Sequence, residues 1–312
     1  MFPANRHREA FAAFLIRMES HLMSFKFEMV EHIAAFCDGL RGGNPAGVFV
    51  GNELPSNQLM QEVAKHLGYS ETVFAAPLDN AWNVRYFSPA TEIPFCGHAT
   101  IALGACLARR EGPGEFKLKL KNGDIEVTGG SRGKLGWASF VSPASHSVPV
   151  PADQWDEAMA LFKLKQNDIG DLPPALIDAG ARHIFIPVVT RKLLAGMRYD
   201  FASGRELMQR FGWVTAMLCY EESAEMFHVR NAFAYGGLVE DPATGAAAAA
   251  LAGYLRTLGY PAGQEIVVNQ GEDMGVPCRL IATIPQVDGG RVEVAGYARW
   301  IAGPVGLQPL AQ

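Results

Sequence analysis

Hydrophobic and polar positions along this chain follow two periods, and each predicts its own kind of element. Apolar runs of strand composition stand at 25–33, 46–50, 72–76 and 83–87. Between 55 and 67 the apolar residues Leu59, Met60, Val63, Ala64 and Leu67 recur at helical spacing after a Pro55-Ser56 start. An Ala-rich helix follows at 99–108. Segments 116–121 and 124–127 then alternate about Asn122-Gly123, a strong hairpin signal, and 137–141 continues the strands. The second half repeats the plan. Strands are predicted at 184–189, 217–220, 227–229, 265–269, 279–284 and 291–297, with helices at 155–164, 205–211 and 246–258. Three prolines between 143 and 151 mark a linker. The fold class expected is α+β, with two pseudo-repeated domains, each a curved β-sheet or barrel around one central α-helix. Ala246 to Ala250 and Ala252 leave almost no side-chain bulk, as a helix closely wrapped by such a sheet needs.

Two short segments carry the repeat. Cys96-Gly97-His98-Ala99-Thr100 and Asp241-Pro242-Ala243-Thr244-Gly245-Ala246 each run into an Ala-rich helix. Each also follows a Val-Arg pair and an acid: Val84, Arg85 and Glu92 in one, Val229, Arg230 and Glu240 in the other. The spacing from Gly97 to Gly123 (123 − 97) and from Gly245 to Gly271 (271 − 245) is 26 in both. Small residues opening a helix leave backbone N–H groups and the positive end of a dipole free for a carboxylate. Two such ends facing one another would form one anion-binding cleft.

Composition narrows the partner. The chain of 312 residues is 49% hydrophobic and 19% charged with net charge −5, so a small molecule is expected, with no nucleic acid and no membrane surface. Five dispersed cysteines without a Cys-x-x-Cys indicate neither a disulfide framework nor a zinc site, and a cytoplasmic setting is expected. Residues 1–23 are read as an N-terminal extension, with Met23 as an alternative start. Their apolar patch is cut short by Arg17 and Glu19, well below the roughly 20 residues of a membrane span. No dinucleotide, Walker or His-Glu-x-x-His motif occurs, so no cofactor and no metal is expected. The segment 129–134 lacks the spacing of a phosphate loop and reads as a hairpin turn.

Taken in order, Gly43-Asn44-Pro45-Ala46, Ser70-Glu71-Thr72 with Phe74, Cys96-Gly97-His98-Ala99-Thr100, Glu240-Asp241-Pro242-Ala243-Thr244-Gly245, Asn269-Gln270-Gly271 and Met274-Gly275 resemble the phenazine biosynthesis PhzF-like family. The resemblance runs from about residue 25 to 300. It implies the diaminopimelate epimerase-like fold, with a first domain at 24–142, a second at 143–298, a tail at 299–312 packing back on the first, and a site between the domains. It further implies that Glu71 is the general acid/base of a cofactor-independent isomerase moving a proton between carbons of a small carboxylic acid. Such a carboxyl works best with its pKa nearer neutrality, which an apolar cleft walled by Val73 and Phe74 would provide. By the same resemblance His98 and Asp241 hold the substrate's polar groups, although Asp241 before a proline is also good N-cap chemistry. Gly97, Gly245 and Ser70 would bind its carboxylate. The chain departs from the family at Ala246, where a serine usually supplies one more hydroxyl to that carboxylate.

Two rivals follow from the same residues. Racemases of this fold use a thiol on each side of the α-carbon; Cys96 matches the first, and no cysteine stands near Asp241 to match the second. An epimerase would therefore have to pair Glu71 with Cys96. The loss of the serine at Ala246 instead favours a carboxylate-binding protein without chemistry. A homodimer is expected from size alone.

Overall fold

The computed structural model describes residues 29–303. The N-terminal extension, the start of the first predicted strand and the end of the tail lie outside the described residues. In the first half the elements are β1 (Val30–Ala35), β2 (Asn44–Val50), α1 (Asn57–Leu67), β3 (Glu71–Leu78), β4 (Ala81–Phe87), β5 (Glu92–Ile93), α2 (Gly97–Glu111), β6 (Gly114–Leu120), β7 (Gly123–Arg132) and β8 (Leu135–Ala144). The second half continues with β9 (His146–Pro149), α3 (Ala152–Phe162), β10 (Ala175–Asp178), β11 (Arg182–Pro187), α4 (Arg191–Ala195), α5 (Phe201–Phe211), β12 (Thr215–Ser223) and β13 (Met226–Ala232). It ends with β14 (Glu240–Asp241), α6 (Gly245–Thr257), β15 (Glu265–Gln270), β16 (Cys278–Thr283) and β17 (Arg291–Trp300).

Strands β1, β2, β3, β4, β6, β7, β8 and β17 pair in that order, and β17 returns to β1, closing a barrel. The second half pairs β9 through β13, then β15, β16 and β17, in the same alternation of antiparallel and parallel ladders. Strand β17 serves both: Glu293 to Ala295 face β16, while Ala298 to Trp300 face β1. Parallel neighbours need a crossover. The crossover from β4 to β6 contains α2, and that from β13 to β15 contains α6, which puts one Ala-rich helix at the centre of each sheet.

Both central helices are buried on nearly every side. Their small residues allow this. A Cβ on Gly104 would stand 2.6 Å from Val127, and one on Gly253 would stand 2.3 Å from Ser145. Helix α1 has the opposite character. It lies outside the first barrel and turns Met60, Val63, Ala64 and Leu67 onto Phe49, Phe74 and Phe87.

Three expectations are corrected. The segment 143–151 is no linker: β8 runs through Pro143 to Ala144, and β9 pairs with β10 from His146 to Pro149. Pro143 sits beside a register irregularity opposite Arg291, Pro149 ends β9 and Pro151 is the N-cap of α3, positions where no regular ladder N–H is required. The turn expected at 129–134 shrinks to the link between Arg132 and Leu135, with Gly133 at φ 64. Phe74 forms no wall of the cleft either. Side chains alternate along β3, so Val73 shares a face with Glu71 inside the barrel while Phe74 packs under α1.

Candidate active site

Gly97 and Gly245 are the first residues of α2 and α6. The preceding residues, Cys96 and Thr244, make no side-chain bond to the free N–H groups of these helices, whereas Ser56, Thr190 and Asp200 do so for α1, α4 and α5. The two uncapped starts meet. A Cβ on Gly97 would lie 3.7 Å from Gly245 Cα and 3.3 Å from Phe140 Cζ, and one on Gly245 would lie 3.3 Å from the same Phe140 atom and 3.6 Å from Phe36. Two positive helix ends thus converge beside an aromatic wall, an arrangement suited to an anion.

Glu71 opens β3 in register with Ala46 of β2, and Ser70 precedes it. His98, the second residue of α2, places Nε2 3.3 Å from Glu71 Oε2 and 3.4 Å from Ser70 Oγ. Its Nδ1 lies 3.2 Å from Cys96 Sγ. Burial holds the His98 imidazole below its usual pKa against the pull of Glu71, so the ring is neutral at pH 7. Burial and then the Glu71 charge push the Cys96 thiol well above its usual value, keeping it protonated. One tautomer satisfies both neighbours: the thiol donates to Nδ1, and Nε2–H donates to the carboxylate.

Asp241 comes from the other half. Thr244 Oγ1 donates to its Oδ2 at 2.6 Å and Asn44 Nδ2 to its Oδ1 at 3.3 Å. Burial pushes its carboxyl up to about 7; the Thr244 bond opposes this and the Glu71 charge adds to it. Asp241 is not the helix cap, since Thr244 occupies that position. Gln270 holds the loop instead. Its Nε2 donates to the Asp241 carbonyl at 2.6 Å, and its Oε1 accepts from Thr244 N at 3.1 Å.

The paired acids of the repeat also have a place. Arg85 Nε lies 2.5 Å from Glu92, and Arg230 forms a more deeply buried pair with Glu240. Each pair ties a short strand to its neighbour just before a glycine helix start, which fixes where that start points. Ala246, second residue of α6, is half-buried beside Gly245. Asn44, Gln270 and Phe140 were not assigned roles from sequence. A polar residue leading an otherwise apolar strand was the available signal for Asn44. A cleft of about 530 Å³, lined by Phe162, Asp168, Leu193 and Met197, lies elsewhere in the second half and includes none of these residues.

A family model described as phenazine biosynthesis-like protein (PhzC-PhzF) matches residues 33–302. The chain belongs to this PhzC-PhzF family. An uncharacterized isomerase of Mesorhizobium japonicum is 31% identical over 282 residues, covering 83% of this chain and 92% of that protein. The trans-2,3-dihydro-3-hydroxyanthranilate isomerase of Pseudomonas aeruginosa is 29% identical over 264 residues, 80% and 88% of the respective chains. A Bacillus anthracis PhzF-family phenazine biosynthesis protein superposes with TM-score 0.76 at 22% identity, over 88% of this chain and 96% of that one. The α+β, epimerase-like PhzF fold expected from sequence is therefore the observed one. The PhzF-family chain is an enzyme of the isomerase class, as its named relatives are. Among the described residues no helix is long and apolar enough to cross a membrane.

Proposed function

We propose that this isomerase shifts a proton between carbons of a small unsaturated carboxylic acid, with Glu71 as the group that carries it. The observation behind this reading is the placement of Glu71 and His98 beside two uncapped, converging helix starts, with Asp241 contributed by the opposite half. Backbone N–H groups at Gly97, Gly245 and Ala246, with the Ser70 hydroxyl, hold the substrate carboxylate. The same donors stabilise the negative charge that spreads onto it as the C–H bond breaks. Glu71, oriented by His98 Nε2–H, takes the proton and returns it to a second carbon. Asp241, protonated below about pH 7, donates to a hydroxyl or amino substituent and removes one negative charge from a site that must accept an anion.

The named activity of the Pseudomonas relatives makes a hydroxylated cyclohexadiene carboxylic acid the first substrate to try. Alanine at position 246 leaves the carboxylate one hydroxyl donor fewer, which favours a related acid over that one. Pairing Glu71 with Cys96 in an epimerase is disfavoured. The thiol is protonated and sits in the same half as Glu71, within 4.8 Å of the acid and His98, where a two-base reaction needs groups on opposite faces of the carbon.

The test is turnover of a panel of aromatic and cyclohexadiene carboxylic acids followed by proton NMR. Conversion of at least one acid by the wild type and loss of at least about 100-fold in Glu71→Gln is expected. Equal conversion by both proteins would refute the assignment, and binding without conversion of any acid would favour a carboxylate-binding protein.

A further inference from the structure

Glu71, Cys96 and His98 each offer one ligand atom, and these atoms all lie within 4.8 Å of one another. Zinc bound to imidazole, carboxylate and thiolate at its ordinary bond lengths requires ligand atoms about 3.3–3.8 Å apart for a tetrahedral site. With Nε2 as the imidazole ligand, the observed separations lie close to that range: 3.3 Å to Glu71 Oε2 and 4.0 Å to Cys96 Sγ. Small side-chain rotations would complete three corners of a tetrahedron. The Glu71 side chain is 16% accessible, which gives an ion its way in.

The donor set is also selective. A thiolate and an imidazole favour a soft ion over magnesium or calcium, which prefer all-oxygen shells. Among the described residues none of the three is ion-paired with Lys or Arg. Once the thiol has given up its proton, a thiolate and one carboxylate balance the two charges of the ion.

From this geometry we infer that Glu71, Cys96 and His98 form a binding site for a soft divalent cation of the zinc type. On binding, the Cys96 S–H proton passes to solvent and the sulfur lone pair fills the metal bond. An ion held there occupies the groups assigned above to proton transfer, so zinc acts as an inhibitor competing with the carboxylic acid. The site itself does not depend on which acid is the substrate.

The test titrates Zn²⁺ into the full chain against a chromophoric chelator, with Co²⁺ added in parallel to read a thiolate-to-metal charge-transfer band. One ion per chain is expected, with the band present. Cys96→Ser should abolish the band, and both Cys96→Ser and Glu71→Gln should weaken Zn²⁺ by at least about tenfold. His228→Gln, in the separate cluster with Glu222 and Glu272, should change neither. Circular dichroism confirms that each variant is folded. Zinc binding unchanged in both site variants, or no band and no binding at micromolar Zn²⁺, would overturn the inference. None of these readouts needs turnover, so its failure is distinguishable from failure of the isomerase reading.

Discussion

Asn44 and Asp241 stand 197 positions apart in sequence, yet Asn44 Nδ2 donates to Asp241 Oδ1 at 3.3 Å across the junction of the two halves. The asparagine is fully buried at the start of β2, and among the described residues its own Oδ1 has no hydrogen-bond partner. Its amide therefore steadies the ionised form of Asp241. Replacing Asn44 by Ala should cost about 1–3 kcal/mol of stability by removing a buried bond to a carboxyl. It should also raise the Asp241 pKa, so the alkaline limb of the pH–rate profile moves upward. A melt that drops while the limb stays fixed would leave Asn44 a purely structural role.

Asp241 itself gives stability a pH dependence. An unfolded aspartate releases its proton near pH 4, while the folded protein holds this one to about 7. Folding thus binds a proton between these values, and stability falls as pH rises across that window before levelling above it. Asp241→Asn should flatten the slope in urea unfolding measured from pH 5 to 8. Activity should fall as pH rises through about 7, where Asp241 loses its proton.

Gly97 and Gly245 face one another so closely that a methyl group on either would enter the shared space beside Phe140. Alanine is the better helix former by up to about 1 kcal/mol. Gly97→Ala and Gly245→Ala are therefore expected to melt within about 1 kcal/mol of wild type while KM for the acid rises at least about tenfold. Steady-state kinetics with thermal unfolding checks both halves of that statement.

The two ion pairs occupy equivalent places and differ in burial. Arg230 and Glu240 are 9% and 2% exposed, against 22% and 18% for Arg85 and Glu92. Arg230→Met strands a carboxylate in the interior and should cost about 3–5 kcal/mol. Arg85→Met, near solvent, should cost about 1 kcal/mol or less. Urea denaturation of the two variants makes the comparison, and equal costs would contradict it.

The sequence made the repeat legible because its signals are local. Glycine before an alanine run, a Val-Arg pair with a following acid, and Asn122-Gly123 each act within a few residues. The helix cores at 99–108 and 246–258 rest on the same grounds; the helices run from Gly97 to Glu111 and from Gly245 to Thr257. Long-range pairing left no comparable trace. Nothing local tells that β17 divides itself between both sheets, or that four residues at Ala175–Asp178, beside Pro173 and Pro174, form a strand between β9 and β11. A hydrophobic residue next to the acid suggests a cleft wall at Phe74, whereas the two-residue period turns it to the other face. The candidate site followed the same division. Residues within the two glycine motifs could be named from sequence, while Asn44, Gln270 and Phe140 join them only through tertiary contacts.

The central claim is that Glu71 lifts a proton from one carbon and delivers it to another. Turnover of a converted acid in heavy water reads this directly, by mass spectrometry and NMR of the product. The product should retain a substantial share of the substrate's own hydrogen at the new position, returned by the Glu71 carboxyl faster than it exchanges with solvent, and no product should form with Glu71→Gln. Undiminished conversion and deuterium uptake in Glu71→Gln would contradict it.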